Sequence, residues 1–155
     1  MRLNFKPYDS QWVAALRDGG TDDYGLAPER TVSDGQGNPC RHCLDMIPKG
    51  AEMLICAARP FPGLQPYAET GPIFLCAEKC NAYADRDRPP ALRDSPDYLL
   101  KGYSEDFRII YGTGQIVAAE RIEKACETLF DNANVAFVDV RSARNNCFQC
   151  RITRG

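Results

Sequence analysis

The sequence has a single histidine in 155 residues. Any imidazole general base must therefore be His42, which stands between two cysteines. Neighbours in so short a turn point apart, so His42 is expected to face solvent or to support a neighbour rather than to activate a nucleophile. Positive charge is not in excess either: 19 Lys and Arg stand against 21 Asp and Glu, a net charge of −2, with a pI near 5.4. That argues against a surface built for nucleic acid or anionic membrane. No apolar run approaches the roughly 20 residues needed to cross a bilayer. The first residues, MRLNFKPYDSQW, carry no apolar h-region of the kind that directs export, so the expected location is cytoplasmic. No repeat or low-complexity tract breaks the chain. Its length fits a single domain, 1–155, able to bury a core without staples. The hydrophobic content of 44% and charged content of 26% are those of a globular protein.

Helix signals occur twice. DSQWVAALRD, 9–18, predicts a short N-terminal helix: Asp9 or Ser10 can cap it, Trp12, Val13 and Leu16 share a face, and Gly19 can end it. AERIEKACETLF, within about 118–130, predicts the main helix. Its stripe is Ala119, Ile122, Cys126 and Leu129, Glu120–Lys124 is an i,i+4 pair on the opposite side, and Asn132 is the expected stop. Residues 19–39, rich in Gly and Asp, read as loop. MLICAA (53–58), IFLCA (73–77), YLLKGY (98–103), DFRIIYG (106–112) and GQIVA (114–118) read as strands, the last two joined by a Gly112/Gly114 turn. NVAFVDVRSA and CFQCRITR flank Arg144-Asn145-Asn146 as a closing hairpin, because Asn tolerates positive φ. The order predicts an α+β fold with a mostly antiparallel sheet and one main helix packed on it. RPFPGLQPYAETGP, 59–72, is a long irregular connection.

What the chain does have is eight cysteines. In a reducing compartment such abundance points to metal, redox chemistry or small buried hydrophobes. Cys56, Cys126 and Cys150 lie on apolar faces and are expected in the core. Cys40-x2-Cys43 precedes Pro48 and Gly50, which stop any long helix, so the thioredoxin-type arrangement is disfavoured. A compact turn presenting two thiolates supplies half of a tetrahedral zinc site. Cys76-x3-Cys80, after 32 intervening residues, is the natural other half. In a straight strand Cys76 and Cys80 would lie about 13 Å apart, so this pairing requires a turn after Cys76. Cys147-x2-Cys150 repeats the spacing, but on a strand those sulfurs diverge.

CRHCLDMIPKGAEMLI…IFLCAEKC resembles the zinc finger of the poly(ADP-ribose) polymerase type. The resemblance implies Cys40, Cys43, Cys76 and Cys80 as ligands. Cys76 stands where that finger has His, the final spacing is three rather than two, and the basic surface used on DNA breaks is missing. A wider resemblance, carried by PCRHCL, RPF…PYAETGPIFL, Cys80 and RSARNNCFQCRITR, is to the bacterial domain-of-unknown-function family numbered 1203. It implies no activity. Its pattern has His where this chain has Cys76, an exchange natural at a metal ligand, and a Cys at Cys147, which makes Cys147 an alternative ligand.

These readings converge on a structural zinc site that pins the 59–72 loop to the sheet. The rival is an enzyme or small-anion-binding protein with a pocket lined by cysteines and arginines. For that reading Arg141 and Arg151 are the anion-binding candidates, on facing strands of a tail segment without acidic residues from 141 on. The blander reading of both, a solvated strand face with cross-strand partners, is favoured over the anion site. Tyr67 and Glu69 are loop or pocket candidates.

Overall fold

The computed structural model describes residues 1–155. Two antiparallel sheets carry it. The first strand, β1 (Leu3–Lys6), turns Leu3 and Phe5 inward, and Asp9 then caps α1 (Ser10–Arg17) by accepting from the Trp12 N–H at 2.8 Å. Val13 and Leu16 are the buried face of α1. A small sheet of order β2-β3-β4 follows, from β2 (Glu29–Val32), β3 (Glu52–Ala58) and β4 (Gly71–Cys76). The larger sheet, in the order β1-β8-β7-β5-β6, adds β5 (Asp97–Tyr103), β6 (Gln115–Ala118), β7 (Phe137–Ser142) and β8 (Phe148–Arg154). α2 (Ile122–Phe130), entered through a 3-10 turn at Ala119–Arg121, packs over that sheet. The class is α+β.

Each sheet has its own core. Val13, Leu16, Leu54, Ile73 and Leu75 fill the one between α1 and the small sheet. Ile122, Cys126, Val138, Val140, Cys150 and Ile152 fill the one under α2. Cys56, Cys126 and Cys150 are buried in these cores as expected, and burial pushes the Cys56 and Cys126 thiols up to about 12. The segment Cys40–Leu44 joins the two: Cys40 belongs to the smaller core and Leu44 to the larger.

Four expectations change. Residues 106–112 are not a strand. Phe107 takes φ 62° and packs its ring against Phe61 and Phe137, and Thr113 Oγ1 accepts from the Gly102 N–H at 2.9 Å. β6 therefore pairs directly with β5, Leu99 opposite Ile116, and 104–114 is their connection rather than a Gly112/Gly114 hairpin. β1 and β2 were not expected. β2 is exposed throughout, so alternating burial does not mark it; it exists by pairing with β3. In α2 the last buried residue is Phe130 rather than Leu129, and Glu120 makes no ion pair; Lys124 pairs with Glu127 at 3.6 Å instead.

The fourth change concerns the 59–72 loop. Cys76 pairs with Met53 at one end of the β3–β4 hairpin, and Gly71 pairs with Ala58 at the other. The loop therefore lies about five residues, roughly 16 Å, from the cysteine end. Side chains of the large sheet hold it instead. Arg151 donates to the Pro60 carbonyl at 2.8 Å, Phe61 packs on Tyr103, and Glu69 meets Lys101 at 3.3 Å.

Candidate metal centre

Cys40 opens a tight knuckle. Its carbonyl accepts from the Leu44 N–H, and its own N–H donates to the Asp45 carbonyl, both at 2.9 Å. Leu44 closes the turn with φ 53°, a conformation that costs a non-glycine residue about 1–2 kcal/mol. Full burial of the Leu44 side chain in the larger core offsets that cost by about 1.5–3 kcal/mol. No helix follows Cys43, so no helix N-terminus faces the sulfurs as a thioredoxin-type dithiol needs.

The knuckle's backbone is bonded on every side. Tyr8 N–H donates to the Arg41 carbonyl, Tyr83 N–H to the His42 carbonyl, and Arg41 N–H to the Phe74 carbonyl. Arg41 itself is buried, with Nε donating to the Phe148 carbonyl at 2.8 Å and Nη1 to Pro39 at 2.7 Å; desolvation pulls its pKa down to about 10. The turn is thereby fixed to the β1–α1 link, β4 and β8.

Cys76 is the last residue of β4, and the chain bends immediately after it. That bend returns Cys80 to the knuckle. The sulfurs of Cys40, Cys43, Cys76 and Cys80 all lie within 4.8 Å of one another, and Cys40 and Cys80 are 3.9 Å apart. A tetrahedron with metal–sulfur bonds of about 2.3 Å has sulfurs about 3.8 Å apart, so the four are placed to hold a metal ion.

Other groups complete the cluster's surroundings. Arg17, at the end of α1, donates from Nη2 to Cys80 Sγ and from Nε to the Cys76 carbonyl, both at 3.1 Å. Cys76 N–H points at Cys40 Sγ over 3.3 Å. His42 lies with Nδ1 3.2 Å from Cys80 Sγ and Nε2 2.9 Å from Ser10 Oγ. With Cys80 as thiolate, the His42 proton sits on Nδ1 and donates to sulfur, while Nε2 accepts from the Ser10 hydroxyl. The crowding divides the four thiols. Hydrogen bonding from Cys43 leads in pulling Cys40 down to about 6, and bonds from Cys40, Cys43 and Cys76 hold Cys80 low. Cys43 and Cys76 are pushed up, each chiefly by Cys40.

The remaining candidates lie elsewhere. Cys147 is outside the cluster, its sulfur 3.8 Å from the Asn145 carbonyl, and it lines a cavity of about 160 Å³ with Arg141. Arg141 and Arg151 do not converge on an open site. Arg151 makes a two-point bond to the fully buried Asp139, at 2.7 and 2.9 Å, and Arg141 meets Glu69 at 3.5 Å and the Asn146 carbonyl at 2.9 Å. Tyr67 accepts from the Tyr111 hydroxyl at 3.3 Å on the surface. The sequence gives no sign of the Arg17 contacts, of the Ser10–His42 bond or of the burial of His42. The flanking of His42 by two cysteines does mark its place beside a sulfur, where it supports Cys80 rather than facing solvent.

A family model described as "Protein of unknown function (DUF1203)" matches residues 37–154, which include all eight cysteines. No curated protein and no solved structure matches the chain.

Proposed function

The chain belongs to the DUF1203 family, and from that premise we propose that its four-cysteine cluster is a structural zinc site. The mutual approach of the Cys40, Cys43, Cys76 and Cys80 sulfurs within 4.8 Å carries this reading. Four thiolates in tetrahedral array select zinc among the common divalent ions, with iron as the other soft candidate. Four protein ligands leave no open coordination position, so the ion would support folding and not hydrolysis. It would tie the knuckle to the end of β4, with α1 joined through Arg17. The free state of every cysteine suits a reducing compartment, and we place the protein in the cytoplasm. No helix is long and apolar enough to cross a membrane.

The test is metal analysis of protein purified without added zinc. About one equivalent of zinc per chain is expected. Less than about 0.2 equivalents of any metal, with all eight thiols titrating freely in the native state, would sink the proposal. One equivalent of iron would preserve the ligand set and overturn zinc. The anion-site alternative on Arg141 and Arg151 has less support, because each guanidinium already faces a carboxylate.

A further inference from the structure

A groove of about 510 Å³ opens between the start of α1, the 59–62 segment and the 104–114 connection. Its size falls within the range of small-molecule sites, roughly 300–1,000 Å³. Five aromatic side chains line it, Tyr8, Trp12, Phe61, Phe107 and Phe148. They form two groups: Tyr8 lies edge-on to Trp12 at 4.9 Å and to Phe148 at 6.2 Å, and Phe61 lies edge-on to Phe107 at 6.3 Å.

Five charged side chains share the groove, and three of them are already engaged. Arg151 is bound by Asp139 and Pro60, and its guanidinium lies 3.8 Å from the centre of the Phe137 ring. Asp9 caps α1. Asp23 accepts from the Trp12 indole at 3.3 Å and from the Arg59 N–H at 2.6 Å. The Lys6 ammonium makes no hydrogen bond or ion pair; only the Lys6 backbone is engaged, in the β1–β8 ladder. Arg59 uses only its Nε, in a long 3.4 Å bond to the Phe61 carbonyl, so both of its terminal nitrogens are free. The Tyr8 hydroxyl also has no partner, and burial together with the Asp23 charge pushes its pKa up, so it stays a neutral donor.

The unspent groups are therefore two cations and one phenol beside aromatic walls. We propose that this groove binds a small anion carrying a planar aromatic ring. The ring stacks among Tyr8, Trp12 and Phe148, and the anionic group takes the Lys6 ammonium and the Arg59 guanidinium. A nucleoside monophosphate and an aryl carboxylate share this chemistry. The proposal does not rest on the metal reading, since none of the four clustered cysteines lines the groove.

Trp12 is the only tryptophan in the chain, so its fluorescence reports on the groove directly. The protein as purified is titrated with adenosine 5′-monophosphate and phenylpropanoate, with their neutral counterparts adenosine and phenylpropanamide, and with inorganic phosphate, with calorimetry in parallel. At least one of the two ring-bearing anions is expected to change Trp12 emission saturably, and which one does so identifies the source. Its neutral counterpart, and phosphate alone, should bind at least about tenfold more weakly. Lys6→Met and Arg59→Gln should each weaken binding by about tenfold or more with unchanged circular dichroism. Lys6 is exposed and unpaired, so its replacement tests the claim even if the Arg59 variant misfolds. Absence of saturable binding by both ring-bearing anions, binding of a neutral counterpart as tight as that of its anion, or full affinity in Lys6→Met would overturn it.

Discussion

Arg17 Nη2 donates to Cys80 Sγ at 3.1 Å while Nε of the same side chain holds the Cys76 carbonyl at 3.1 Å. One guanidinium thus touches both members of the second cysteine pair, from a helix on the far side of the knuckle in sequence. Four thiolates around a divalent ion leave a formal charge of −2, and Arg17 neutralises half of it. Such outer hydrogen bonds orient a ligand and temper its charge.

Arg17→Met should therefore keep the fold yet weaken zinc binding by about 10–100-fold. Competition against a chromophoric chelator measures this. Arg17→Lys keeps the charge but cannot make both bonds, and should recover the affinity only in part. An affinity unchanged in Arg17→Met would reduce the contact to packing.

Cys43→Ser removes one sulfur of the cluster, whereas Cys147→Ser removes one outside it. The first should lower bound metal to well under one equivalent and lower the melting temperature. The second should leave both as they are. Metal loss in Cys147→Ser would show that the proposed ligand set is wrong.

The cysteine pairing was legible because sulfur chemistry restricts partners: two short pairs in turns, with apolar faces absorbing three of the others. The closing hairpin was legible too, since Asn146 does take φ 59°. What escaped depends on contacts distant in sequence. β2 is exposed on every residue and has no periodicity to read. Phe107 left its expected strand because its ring finds Phe61 and Phe137, residues that only the fold brings near. Arg17 reads as an ordinary basic helix end; its partner is 63 residues away. That the tail arginines find cross-strand partners was legible as well: Asp139 stands directly opposite Arg151 in the β7–β8 register and pairs with it. Glu69, which Arg141 meets, lies far back in the sequence and on no facing strand, so only the fold reveals it.

Asp22 gives a pH dependence with a definite sign. Its Oδ1 accepts from the N–H groups of Tyr24 and Leu26, and Oδ2 accepts from Ala57 N–H at 2.9 Å. Burial opposes the charge, but these three bonds outweigh it and hold the pKa below the usual 3.8. The folded protein therefore binds this proton less readily than the unfolded chain, so the contribution is present above about pH 4 and is lost as pH falls through the folded pKa. Asp22→Asn turns an amide donor toward a backbone donor and should cost about 1–3 kcal/mol at pH 7. Urea denaturation at pH 7 and pH 3 should show the gap between variant and parent narrowing at the lower pH. A gap independent of pH would mean that shape rather than charge is at work.

The Asp139–Arg151 pair tests how the 59–72 loop is held. Asp139 is fully buried, and its only cationic partner within hydrogen-bonding distance is Arg151, whose Nη2 also reaches the Pro60 carbonyl. Removing the carboxylate in Asp139→Ala strands a guanidinium between aromatic rings and should cost about 3–5 kcal/mol. Arg151→Met strands the carboxylate and loses the loop contact as well. The double variant Asp139→Leu/Arg151→Met buries no unpaired charge, so it should be more stable than either single variant and lie near the parent. Its loop nevertheless lacks the bond to Pro60. Limited proteolysis should then find new cleavage between 59 and 70 in both Arg151→Met variants and not in the parent. Restored stability with restored protease resistance would mean that Phe61 packing and the Glu69 contacts secure the loop without Arg151, and that Arg151 serves only to neutralise Asp139.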